Sequence, residues 1–166
     1  MNPMIDPGNA SFDIEDCEDV IGMVKTLVDG RRPGILGTVD KEGKPHVRWM
    51  ATFSFSEFPI FHTLTHPESP KVTQIREHPY VTWMFSNDDL SLIVNLAGRA
   101  RVLTDTRSLK RIWAKIDDKS HAYFLRQYTK GAGFAVIETL AESVQCCSPK
   151  NNLYFEVGTD EVARMH

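Results

Sequence analysis

The sequence predicts a mainly β domain, a small antiparallel barrel with peripheral helices. Short strand-like segments follow one another along most of the chain, and the helical patterns fall in separate blocks between them. Gly98 interrupts the longest of these segments, and a glycine inside a strand permits the bulge or bend through which a sheet curls towards closure. With 166 residues, 42% hydrophobic and 25% charged, the chain can bury one substantial core. We read a loose N-terminal arm over 1–12, where Pro3, Pro7, Gly8 and Asn9 break any pattern, and a single domain over 13–166.

Val20, Ile21, Val24, Leu27 and Val28 recur at the helical period, with Asp13, Glu15 and Asp16 near the favourable N-terminal end and Gly30 as the stop. The period then changes. Ile35 to Val39, the turn Asp40-Lys41-Glu42-Gly43 and Pro45 to Phe55 read as a hairpin, in which Val47, Trp49, Ala51 and Phe53 share one face and His46, Arg48, Met50 and Thr52 the other. Ile60 to Thr65 is a third strand. A helix beginning at Ser69 ends at His78-Pro79, and strands follow at Tyr80 to Ser86 and Leu92 to Thr104. Asp105 caps a helix with Leu109, Ile112, Trp113 and Ile116 on its apolar side, and Tyr123 to Tyr128 is a second helical pattern. Phe134 to Leu140, extendable to Cys147, and Leu153 to Val157 are the final strands.

Composition excludes several classes. A net charge of −3 with scattered basic residues argues against nucleic acid as the partner, and no apolar run reaches the length of a membrane helix. The three cysteines, Cys17, Cys146 and Cys147, form neither an even disulfide set nor a C-x-x-C pair, which fits a reducing cytoplasm. The six histidines have no metal-ligand spacing, so no metal is expected. Asp88-Asp89 and Asp117-Asp118 sit at turn or helix boundaries as capping groups do, and Ser54 and Ser56 lack a glycine elbow.

The most informative stretch is Leu64-Thr65-His66-Pro67-Glu68-Ser69-Pro70-Lys71, a strand end, a loop and a helix start. Ser69 is a favoured N-cap and Pro70 suits the first helical position. The first-turn amides, Ser69 and Lys71 together suit an anion.

These residues, with Gly37-Thr38-Val39, Asp40-Lys41-Glu42-Gly43, Pro45-His46-Val47-Arg48-Trp49-Met50 and the bent strand Asn95-Leu96-Ala97-Gly98-Arg99-Ala100, resemble the pyridoxamine 5′-phosphate oxidase-like split barrels, especially the general stress protein 26 branch. The likeness covers about residues 16 to 116. It implies an FMN-binding split barrel, usually a homodimer with flavin at the subunit interface. By the same likeness, Arg48, Ser69 and Lys71 hold the FMN phosphate, Thr65 lies close to it, and backbone around Trp49, Met50 and Leu64 lines the flavin ring. Strand alternation turns the Trp49 side chain away from Arg48 and, on this reading, into the core, leaving Met50 as the ring neighbour. Where the oxidase itself carries a lysine, a second basic residue and a glutamine, this chain has Phe53, Pro70 and Ile93. The oxidase's substrate-binding basic residues near the C-terminus also find no match in Cys146-Cys147-Ser148-Pro149-Lys150 or the tail to His166, so a second cationic pocket for a phosphorylated substrate, and with it strict oxidase activity, is not expected.

The function expected is that of a homodimeric FMN-binding flavoprotein, an oxidoreductase acting on an unidentified small molecule, with no catalytic side chain assigned. A non-catalytic flavin-binding stress or sensor protein and a split barrel adapted to haem are the alternatives. Trp49, Trp83, Phe53, Phe55, Phe58 and Phe61 exceed what a small barrel interior holds, so some are expected at a subunit contact.

Overall fold

The computed structural model describes residues 2–5, 22, 24–31, 33–88, 90–116, 133–149 and 153–158. The helical pattern at Tyr123 to Tyr128 and most of the N-terminal arm lie outside them. The strands are β1 (Asn2–Ile5), β2 (Gly34–Val39), β3 (Pro45–Met50), β4 (Ile60–Thr65), β5 (Tyr80–Ser86), β6 (Ile93–Leu103), β7 (Ala135–Ser148) and β8 (Leu153–Val157). Two α-helices are described, α1 (Pro70–Glu77) and α2 (Thr106–Trp113). Among the described residues no helix is long and apolar enough to cross a membrane.

All strand pairings are antiparallel, in the order β1-β8-β7-β6-β5-β2-β3, with β4 added to β7. The long strand β7 serves two neighbours on one edge: its first part, Ala135–Leu140, pairs with β4, and its last, Val144–Ser148, with β8. The register of β6 against β7 shifts between Ala97 and Gly98, where the sequence leads one to expect a bulge, although the extra residue, Glu142, sits on β7. There the two backbones press together, since a Cβ on Gly98 would lie 2.0 Å from the Leu140 carbonyl oxygen. The sheet curls round until the segment after β3 meets β4, where Phe53 and His62 exchange both backbone hydrogen bonds at 2.8 Å.

The interior is filled by alternating residues of the curled sheet. Phe61 packs edge-on against Trp83 and Phe85, with ring centroids 5.4 and 6.2 Å apart, and the Trp83 indole donates to Thr139 Oγ1 at 3.2 Å. Leu36, Val94, Leu96, Ile137 and Val144 complete this core, and Val72 and Ile75 of α1 are buried with it. A second apolar cluster lies under α2, where Leu64 and Val136 meet Ile112 and Ile116. Asp105 caps α2 by accepting from the Ser108 amide at 2.9 Å. His62 is buried at the edge of this layer, with Nε2 3.1 Å from Glu138 Oε2; Glu138 also holds Arg101. Burial pushes the His62 imidazole towards its neutral form.

Several boundaries differ from the sequence reading. The first helix closes in a π-helical turn, Leu27–Arg31, so Gly30 lies within the turn and not beyond it. β3 stops at Met50 instead of Phe55, because the Ser54 and Phe55 amides are diverted from the ladder to Asp29 Oδ1, at 3.0 and 3.1 Å, and the Thr52 hydroxyl ties the segment to Val28 O at 2.7 Å. In the arm expected to be loose, Asn2–Ile5 adds a strand to the free edge of β8, whose backbone groups would otherwise lack partners.

Trp49 is not in the core. It is 69% exposed, and Val47 on the same face is 74% exposed. β3 ends the path of the sheet, and its inward face is the one carrying Arg48, which lies opposite the fully buried Leu36 of β2. Of the aromatic residues expected to exceed the interior, Trp83, Phe58 and Phe61 are buried in it, while Phe53 and Phe55 pack under α2.

The close approach at Gly98 gives the first prediction. Gly98→Ala should destabilise the fold by roughly 2 to 4 kcal/mol, the range for a steric clash that backbone must relieve. Urea unfolding of both proteins measures it; a variant within about 0.5 kcal/mol of the parent would show that the strands are free to separate there.

Candidate functional site

The inward face of β3 and the N-terminal end of α1 bring two cations together. Arg48 is half-buried. Its Nη1 donates to Thr38 Oγ1 at 2.5 Å and, more weakly, to Leu36 O at 3.4 Å, while Nη2 donates to Gln74 Oε1 at 3.1 Å. Thr38 in turn donates its hydroxyl hydrogen to Gln74 Oε1 at 2.6 Å. Strand β2, strand β3 and helix α1 are thus joined at one guanidinium.

Lys71, in the first turn of α1, is also half-buried. Its Nζ donates to Thr65 Oγ1 at 3.0 Å, and Thr65 Oγ1 shares a hydrogen bond with Ser69 Oγ at 3.1 Å. Ser69 holds the N-cap position with extended backbone (φ −70°, ψ 147°) and Pro70 follows it, as the sequence predicts, yet the Ser69 hydroxyl makes no cap hydrogen bond to the helix. It turns towards Thr65 instead.

The electrostatics are one-sided. Burial lowers the Arg48 pKa from its ordinary value, and Lys71 is lowered first by burial and then by repulsion from Arg48. Among the described residues no ion pair joins either cation to a carboxylate. Two desolvated positive charges surrounded by hydroxyl, amide and carbonyl groups suit a doubly negative ligand with several acceptor oxygens.

The residues singled out in the sequence divide into two sets. Arg48, Thr65, Ser69 and Lys71 converge on this cationic corner. Met50 follows Arg48 on the inward face and packs against the core. The Leu64 side chain points the other way, into the cluster beneath α2, so only its backbone adjoins Thr65. Trp49 lies on the opposite, outward face. Thr38 and Gln74 belong to the corner but were not singled out; the available signal was a glutamine between Val72 and Ile75 on the buried side of α1.

The outward face of the sheet exposes several large apolar side chains, bordered by Thr82, Arg99 and Glu142. Trp49 pairs across Ile35 with Met84, and Val47 pairs across Gly37 with Thr82 and then Ala97. A groove of about 610 Å³ crosses it, lined in part by Gly37, Val39, Tyr80, Thr82, Ala97 and Glu142. Tyr80 is 68% exposed.

The sequence model of the family described as pyridoxamine 5′-phosphate oxidase matches residues 22–147. No curated protein matches the sequence. Among solved structures, general stress protein 26 from Bacillus anthracis is 20% identical with a TM-score of 0.62, over 83% of this chain and 98% of that one. A pyridoxamine 5′-phosphate oxidase-related, FMN-binding protein from Nostoc punctiforme is 15% identical with a TM-score of 0.63, over 89% and 97%. A haem-binding protein from Mycobacterium smegmatis is 16% identical with a TM-score of 0.64, over 84% of this chain and 58% of that one. At these identities the likeness is one of fold, and the curled sheet is a split barrel of the same kind.

Proposed function

Since the chain belongs to the pyridoxamine 5′-phosphate oxidase family, we propose that it binds FMN and acts as an oxidoreductase on a small molecule. The observation that carries this reading is the pair of half-buried cations, Arg48 and Lys71, with no carboxylate partner among the described residues. A phosphate monoester matches them in charge and in acceptor count.

When bound, FMN supplies the electron-transfer chemistry. The chain's own residues bind and orient. Lys71 and Arg48 hold the terminal phosphate, Thr65 and Ser69 add hydroxyl donors beside Lys71, and Met50 and the backbone at Trp49 and Leu64 border the ring. No side chain is assigned to proton transfer.

We further read the outward apolar face as the contact between two copies of the chain. Val47, Trp49, Tyr80 and Met84 expose large apolar side chains along one side of the sheet, and a two-fold pairing would cover them twice over. Because Arg48 and Trp49 are consecutive on β3, ligand and partner would load opposite faces of one strand.

The visible spectrum of the purified protein tests the cofactor. A yellow two-band absorption is expected. An intense single band of haem type would favour the alternative suggested by the mycobacterial neighbour, and a colourless protein that takes up neither would overturn the reading. Lys71→Ala or Arg48→Ala should weaken FMN binding by roughly 1.5 to 3 kcal/mol, the scale of a hydrogen bond to a charged group, while leaving riboflavin nearly unaffected. Equal losses for both flavins would place the phosphate elsewhere.

Titration at different pH values gives a second measurement. The phosphate favours charged Lys71, whose pKa in the free site is depressed, so binding takes up a proton above that value. FMN affinity should therefore fall as pH rises, beginning below the ordinary lysine range, and Lys71→Arg should move the fall to higher pH; an unchanged alkaline limb would remove Lys71 from the site. For assembly, light scattering should give a dimer, and Trp49→Glu should dissociate it and lower FMN affinity together. A monomer with undiminished FMN affinity would separate the two faces.

A further inference from the structure

Gln74 carries more than a packing role. It is only 7% exposed, and its Oε1 receives hydrogen bonds from both Arg48 and Thr38, at 3.1 and 2.6 Å. A glutamate would fit the same space, accept the same two bonds, and bind the guanidinium more strongly, because its negative charge adds ion-pair attraction to a hydrogen bond that the arginine already charge-assists. Buried arginines ordinarily have such partners. Here the partner is a neutral amide, and the groups contacting Lys71 are neutral hydroxyls. The corner therefore keeps the full charge of both cations while Arg48 stays anchored to β2 and α1.

We propose that Gln74 is a positioning residue that holds Arg48 without neutralising it, and so sets the selectivity of the site for a doubly charged phosphate monoester over the same ligand without its phosphate. This rests on the FMN reading above and names the residue that determines ligand charge. A carboxylate at position 74 would act as an internal competitor: it would occupy the guanidinium, reduce the net charge of the corner by one, and relieve the repulsion between Arg48 and Lys71. Such a chain would be content when empty and poor at binding.

The test compares FMN with riboflavin by fluorescence quenching in the wild type, Gln74→Glu and Gln74→Met, with melting temperatures of the flavin-free proteins. Gln74→Glu should reduce the preference for FMN over riboflavin at least roughly tenfold, change riboflavin affinity less than about twofold, and raise the melting temperature of the flavin-free protein. Gln74→Met, which removes the acceptor without adding charge, should weaken FMN binding by a smaller factor, roughly three- to tenfold, again sparing riboflavin. A folded Gln74→Glu with the wild-type preference overturns the inference and leaves the flavin reading standing. If Gln74→Glu does not fold, Gln74→Met decides alone: FMN affinity equal to wild type overturns the positioning role. Wild-type protein that binds neither flavin overturns the reading on which both rest.

Discussion

Two backbones that touch with no room for a side chain, Gly98 against Leu140 and Ala141, set the shape of everything else. A sheet with a side chain at that crossing would have to run flatter. With glycine there, β7 takes a bulge at Glu142 opposite Ala97 and Gly98, and the first part of β7 accepts β4 on the edge whose far end accepts β8. The end of β4, carrying Thr65, is thereby brought towards the inward face of the β2–β3 hairpin. Helix α1 follows β4 by only a short loop and packs against β2 and β6, so Lys71 and Gln74 arrive beside Arg48 because the sheet is curled.

That corner illustrates how a fold can keep charges it does not itself satisfy. The desolvation of Arg48 and Lys71 is offset in part by hydrogen bonds to Thr38, Gln74 and Thr65, each of which orients a donor without cancelling its charge. Several other cations among the described residues do meet carboxylates. Arg99 meets Glu142 and Lys115 meets Glu57 near the surface, where solvent makes such pairs nearly neutral in energy, and exposed Arg101 meets Glu138, which also faces buried His62. Among the described residues, the absence of carboxylates from the half-buried cationic cluster is thus a local property of the site.

Much of this was legible in the sequence, and the limits follow from what sequence patterns encode. Period and punctuation placed the strands, the helix starting at Ser69-Pro70, the Asp105 cap and the Gly98 bulge, because each depends on local backbone chemistry. Family likeness with those motifs picked out Arg48, Thr65, Ser69 and Lys71. Alternation also told correctly that Arg48 and Trp49 lie on opposite faces. It could not tell which face is inside, and hydrophobicity pointed the wrong way: Trp49 is exposed, while Arg48 lies opposite buried Leu36. Gln74 escaped because its role depends on a contact with residues 26 and 36 positions away, which no helical period reveals. The early end of β3 escaped for the same reason, since the bonds that divert it come from Val28 and Asp29.

Those last bonds reach beyond the boundary of a strand. A single oxygen of Asp29 accepts from the Ser54 amide, the Ser54 hydroxyl and the Phe55 amide, just where Phe55 and Ser56 both adopt left-handed backbone (φ 50° and 62°). Neither residue is a glycine, and each such conformation costs on the order of 1 to 3 kcal/mol unless its surroundings impose it. Asp29 is part of what imposes it. Its replacement by an apolar residue would strand three donors at once, and a glycine introduced at 55 or 56 would remove the need for the constraint. Position 29 and positions 54 to 56 are therefore energetically coupled: losing the Asp29 carboxylate costs most while neither 55 nor 56 is glycine, which ties a helical turn to the seam closing the barrel.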